Sequence, residues 1–130
     1  MKAYTVASIA FDRTLISIRS LNTNWLIRLC HAAVLLLFLA SIFFVLWFWN
    51  RLPMHIPLWY TNPWGKERLA DSYWLLATPF LGIFWHLVNT LTSAWISREY
   101  LVFSQLMMIT SFLVHVLVFM IVVNVILLTI

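Results

Sequence analysis

The sequence predicts an all-α membrane protein, with three transmembrane helices preceded by an amphipathic helix lying in the membrane interface. Three observations predict it. First, hydrophobic residues make up 64% of the 130 positions and charged residues 9%, against roughly 45–50% and 25% in soluble domains. Twelve charged side chains cannot give a chain of this size a water-facing surface, which excludes both an ordinary soluble domain and a disordered chain. Second, the charges leave three long gaps: Leu29–Asn50, Ser72–Ser97 and Tyr100–Ile130, of 22, 26 and 31 residues. About 20 apolar residues at 1.5 Å rise cross a hydrocarbon core of roughly 30 Å. In lipid each backbone amide must bond within its own segment, so the gaps are helices. Outer-membrane strands would alternate in polarity over about ten residues, and LLLFLASIFFVLWFW does not. Third, the first 24 residues carry an amphipathic pattern.

In that segment Tyr4, Ala7, Phe11, Leu15, Ile18 and Trp25 recur at helical spacing on one side. Thr5, Ser8, Asp12, Arg19 and Thr23 recur on another. A helix with such a moment and basic residues lies among the headgroups; a tail touching lipid only through its basic residues is the simpler alternative. Asn22-Thr23-Asn24 then turns the chain inward. The first span, 25–49, has an apolar run longer than the 7–15 residues of a signal core. It ends in Trp47-Phe48-Trp49 where a peptidase needs small residues, so it is expected to stay as an anchor. Neither end has a lipidation motif. A loop at 50–73, a second span at 74–96, a connection at 97–100 and a third span at 101–130 complete the order. Lys2, Arg13, Arg19, Arg28 and Arg98 outnumber Arg51, Lys66 and Arg68 by five to three. Basic residues stay on the cytoplasmic side, so the expected topology is N-terminus inside and C-terminus outside.

Loop 50–73 holds the most distinctive text. Pro53 and Pro57 remove donors and bias Leu52 and Ile56 toward extended backbone, so His55–Thr61 is expected to leave as an extended segment. Asn62-Pro63-Trp64-Gly65 has turn chemistry, and Lys66–Ala70 has the residues of a helix start leading into the second span. Glu67 and Asp71, one helical turn apart beside Lys66 and Arg68, read as its solvated face. The run LPMHIPLWY, the turn with Gly65, Leu69-Ala70 and Pro79 in the next span resemble the first loop of the domain of unknown function that opens SdpI-type immunity proteins. They are similar as well to small bacterial multi-pass membrane proteins with Pro-Leu-aromatic-Tyr and Pro-Trp-Gly in that place. The resemblance covers 50–79; Trp59-Tyr60 stand where the SdpI-type pattern has a histidine, and His55 lies before Pro57. It implies a multi-pass protein of the bacterial cell membrane and carries no catalytic residue. Trp47, Trp49, Trp59, Tyr60, Trp64, Tyr73 and Trp74 bracket one membrane face and Trp25, Trp95 and Tyr100 the other, as aromatic belts do. A cage of Trp59, Tyr60 and Trp64 for a quaternary ammonium is the sharper alternative.

Polar residues in lipid are costly and turn toward protein or water. Thr78, Gly82, His86, Asn89 and Ser93 form one stripe on the second span, and Ser104, Met108, Ser111 and His115 one on the third. Counted from Arg98, His86 falls level with Thr110 or Ser111, and His115 with Leu81 or Gly82, where glycine leaves room for its ring. Two readings follow. In one the stripes hold the helices together. In the other His86 and His115, with Asn89 and Ser111 beside them, bind haem or a quinone, or pass protons. His31 sits near the interface within reach of water, His55 in the solvated loop. Asn124 has no stripe partner and marks either a homo-oligomer face or the outer interface.

Asp12, Glu67, Asp71 and Glu99 all fall outside the spans, so paired carboxylates or a nucleophile with its base are not in place for catalysis. Two glycines make no phosphate loop, and no Cys/His cluster has metal-ligand spacing. One cysteine, Cys30, closes no internal disulfide. The net charge of +4 serves topology and anionic lipid rather than nucleic acid. The sequence therefore points to a non-catalytic accessory, immunity-like or assembly factor without a cofactor. Its expected partners are the bilayer and a membrane protein or a second copy. A haem- or quinone-binding electron-transfer anchor on His86 and His115 is the alternative.

Overall fold

The computed structural model of the chain describes residues 23–58, 69–96 and 100–130, with helical positions 9, 11–13, 15, 16, 18, 19 and 21. The expected turn at 62–65, the helix start at 66–68, the cage residues Trp59, Tyr60 and Trp64, and positions 97–99 lie outside the described residues. Three helices dominate: α1 Trp25–Phe48, α2 Tyr73–Ile96 and α3 Leu101–Thr129. With 24, 24 and 29 residues, they run about 36, 36 and 43 Å. All three are long and apolar enough to cross a membrane. An N-terminal helical stretch precedes them. Its Ile9, Phe11, Leu15 and Ile16 turn outward, away from the bundle, while Leu21 is buried against it. Asn24 ends the stretch and caps α1, its Oδ1 accepting from the Leu26 N–H at 3.1 Å, as a short amide acceptor does at a helix start.

α1 and α3 run parallel and α2 runs against both. α3 packs against each of the others, while α1 and α2 share the smallest helix interface. The interior has three layers. Near the face where α1 and α3 begin, Leu21, Ile27, Cys30, Ala94 and Met108 cluster. At the far end Val45, Leu75, Val122, Val125 and Ile126 cluster around Ile56. Between them lies a polar layer. The large apolar side chains of all three helices mostly point outward, toward lipid as free of water as a protein core. Packing and polar contacts, rather than burial of oil from water, must therefore hold such helices. Trp47, Trp49, Tyr73 and Trp74 are exposed at one end of the bundle, and Trp25, Trp95 and Tyr100 at the other.

Pro79 lies inside α2, where its missing N–H leaves the carbonyl four residues back without a partner. That carbonyl belongs to Leu75, and it accepts from the Thr78 hydroxyl at 2.8 Å. The adjacent threonine thus repairs the proline's defect within the helix, as backbone in lipid requires.

The far loop differs from expectation in one respect. α1 tightens into a short 3-10 turn at Trp49–Arg51, and His55–Pro57 is extended as its prolines predict, forming β1. Leu69–Asp71, however, is strand β2 rather than the start of α2. The two strands pair antiparallel, His55 with Asp71, Ile56 with Ala70 and Pro57 with Leu69. Helix propensity in Leu69-Ala70 yields to this pairing, because the extended Pro-flanked segment needs backbone partners and alternation drives Ile56 and Ala70 into the bundle end. Asp71 accordingly meets His55, Nδ1 to Oδ1 at 3.1 Å, instead of lying on a helix face with Glu67. Ser72 closes the ribbon: its N–H donates to Met54 O at 3.2 Å and its hydroxyl to Pro53 O. Ile56, fully buried, is the stopper in the far end of the bundle.

Candidate functional site

The polar layer is assembled from all three helices. Between α2 and α3 the stripes meet as the spacing predicts. Asn89 Nδ2 donates to Ser111 Oγ at 2.8 Å and reaches Met107 O at 3.4 Å. The hydroxyls of Ser93 and Ser104 donate to each other's backbone carbonyls at 3.3 and 3.1 Å. All four of these side chains are buried, and their contacts zip the antiparallel pair from the near face inward.

His115 comes next, 1% exposed. Its Nδ1 donates to the carbonyl of Ser111, one turn back, at 2.9 Å, which makes Nε2 the acceptor of the neutral ring. The ring lies against Gly82. A Cβ added there would sit 3.3 Å from Nε2 and 3.6 Å from both Cδ2 and Cε1, which places it over the ring face at Nε2, not in the ring plane where the lone pair points. A Cβ at this position would require the ring or α2 to give by a few tenths of an ångström.

His86 stands between two other imidazoles. Its ring is edge-on to that of His115, centroids 5.9 Å apart at 84°. On the other side it is edge-on to His31 of α1, centroids 4.9 Å apart, with His31 Nδ1 and His86 Nε2 hydrogen-bonded at 2.8 Å. His86 and His115 are both more than nine-tenths buried, yet His86 Nδ1 and His115 Nε2 have no partner. Buried polar atoms are nearly always paired, so two orphaned nitrogens on neighbouring rings mark a site. Among the described residues no three His, Cys, Asp or Glu side chains come together in a metal-holding group.

The sequence-predicted residues thus fall into two sets. Asn89 and Ser111 bond each other, whereas His86 and His115 keep one free nitrogen apiece. His31 belongs to the same cluster. It is half-buried and bonded to His86. Asn124 faces outward, five residues before the end of α3. At the far face the ribbon borders an open cavity of about 370 Å³, with Trp49, Met54, His55, Asp71 and Tyr73 in its wall.

Comparison with known protein families, with curated proteins and with solved structures finds no match to this chain. The class of protein accordingly rests on the fold and the site alone: a small multi-pass membrane protein with a histidine cluster at its centre.

Proposed function

We propose that this protein works by association, as a non-catalytic accessory, immunity-like or assembly subunit. It would engage a membrane-protein partner or a second copy from within a bacterial cell membrane, with its N-terminus inside. The observation that carries this reading is the ordered far-face ribbon. Its inner residues, Ile56 and Ala70, are buried, while Met54 and His55 stand out beside the cavity. An exposed apolar side chain held on a braced loop is the material of a recognition surface. The resemblance of 50–79 to SdpI-type proteins points the same way, since it falls on this loop. Most of the polar layer supports it too, because Asn89, Ser93, Ser104 and Ser111 satisfy one another and join α2 to α3.

One observation favours a second reading, a haem- or quinone-binding anchor: the free nitrogens of His86 and His115. Purification from native membranes in gentle detergent separates the two. A colourless preparation with a stoichiometric partner is expected, the partner being lost from Met54→Ala/His55→Ala while the variant remains folded. A Soret or quinone absorption that disappears in His86→Ala and His115→Ala would transfer the function to the cofactor. A colourless protein that stays monomeric and alone in native membranes would overturn the association reading.

A further inference from the structure

We infer that two copies of this chain pair through the outward face of α3, held in register inside the membrane by a hydrogen-bonded pair of Asn124 side chains. The inference rests on the association reading above and names a second copy as a partner, at a face that leaves the far ribbon free. Val122 and Ile126, two positions from Asn124 on either side, are both buried. At 3.6 residues per turn such positions lie on the opposite side of the helix, so Asn124 points straight out of the bundle, where it is exposed. Its amide makes no hydrogen bond among the described residues. Thr92 and Thr110 avoid that state by donating their hydroxyls to the carbonyls four residues back, Val88 O and Leu106 O. An amide left in hydrocarbon without a partner is costly.

The far headgroups are badly placed to supply that partner. Val125 and Ile126, the next two residues, pack with Val45 and Leu75. Val45 comes one turn before Trp49, and Leu75 two residues after Tyr73. Asn124 therefore lies about one turn inside the aromatic residues exposed at this end, and such residues mark the headgroup level. From Asn124 to the last residue of α3 is a further five positions, or about 7.5 Å. The side chain also leans the wrong way. Cα–Cβ bonds tilt toward a helix N-terminus, and α3 begins at the near face, so this short amide leans toward the middle of the bilayer. Gln105, in the second turn of α3, leans by the same rule toward the near headgroups.

A second copy brings matching chemistry to matching depth. Copies inserted with the same topology present α3 in the same direction, and a two-fold axis along the membrane normal sets each residue of that helix against its own counterpart. A carboxamide carries donor and acceptor together, so Nδ2–H of each Asn124 donates to Oδ1 of the other. This self-complementarity singles out a second copy among possible occupants. The surrounding face fits it. Thr110, Leu113, Leu117, Met120, Asn124 and Leu127 are all exposed and follow one another at spacings of 3, 4, 3, 4 and 3. That mean of 3.5 residues keeps two parallel helices in left-handed contact, and one polar position within an apolar stripe fixes their register and number. The other spans offer no equivalent: α1 contains no amide side chain, and Asn89 of α2 is bonded to Ser111.

The test mixes donor- and acceptor-labelled copies of the full chain in phosphatidylcholine vesicles and follows energy transfer as lipid is added. Wild type should pair, with donor quenching linear in acceptor fraction as a dimer requires. Asn124→Leu, which removes the amide and keeps an apolar surface, should weaken pairing about tenfold, the scale of two interhelical hydrogen bonds. Asn124→Gln should restore most of it. Oxidative crosslinking then locates the contact. Met120→Cys and Leu127→Cys should link between copies, whereas Leu36→Cys on α1 and Phe84→Cys on α2, equally outward, should not. The buried Cys30 should leave wild type unlinked. These crosslinks keep the inference exposed even if Asn124→Leu misfolds. Pairing that is unchanged in Asn124→Leu, or links through α1 or α2 in place of α3, would overturn it. So would a monomer whose Asn124 is reached by water. The association reading then stands if native membranes still yield a stoichiometric partner, and falls as well if the protein is alone there.

Discussion

Ile56→Ala should lower the unfolding free energy in mild detergent by about 2–5 kcal/mol, the range for truncating a buried aliphatic side chain to alanine. Ile56 is fully enclosed by side chains from all three helices, Val45 from α1, Leu75 from α2, and Val122, Val125 and Ile126 from α3. No helix can slide in to fill the space, because Pro53, Ser72 and the His55–Asp71 pair fix the ribbon that holds it. The neighbouring Met54 is 85% exposed, so Met54→Ala should leave stability unchanged. Equal, small effects at both positions would mean that the ribbon lies on the bundle end without plugging it.

Gly82→Leu should cost about 1–3 kcal/mol by overpacking and should disturb the polar layer as well as the stability. The Cβ alone would press on the His115 ring at 3.3 Å, and three further carbons add to that crowding. The ring is tied to its own helix through Ser111 O, so α2 and α3 must separate. Asn89, two turns along α2 from Gly82, and Ser111, one turn before His115 on α3, should then lose their 2.8 Å contact. Gly82→Ala needs the ring to yield only a few tenths of an ångström and should be far milder. Equal tolerance of alanine and leucine would show that the ring does not lie on Gly82.

Much of this architecture is legible in residue spacing. The three charge-free gaps mark the three helices, and Asn24 caps the first of them where a turn was expected. The 4-4-3-4 stripe of α2 and the 4-3-4 stripe of α3 do meet, and His115 lies on Gly82 as the count from Arg98 places it, whereas Ser111, counted level with His86, bonds Asn89 one turn away. Two features are not legible, for different reasons. Leu69-Ala70 has helical residues, and nothing local shows that Ile56, fourteen positions before Ala70, will pair with it. Strand pairing at such a distance belongs to the tertiary fold. The place of His31 in the cluster is hidden because Arg28, three positions before it, reads as the end of the helix. α1 begins at Trp25, so Arg28 already sits on the first turn, where a long side chain reaches the headgroups from below its own level. Counted from Trp25, His31 is deep enough to approach His86. The stripe Ile27, Cys30, Val34, Ser41 and Val45, buried in the structure, also runs beside it and marks the inward face of α1.

The central claim is that imidazoles from three separate spans meet inside the membrane, and the His31–His86 hydrogen bond tests it most directly. In ¹⁵N-histidine protein reconstituted in bilayers, an N–N coupling across that bond should be resolved between His31 Nδ1 and His86 Nε2, and it should vanish in either His→Phe variant. A His31 ring with no such coupling, exchanging its protons freely with water as an interfacial residue does, would contradict the account.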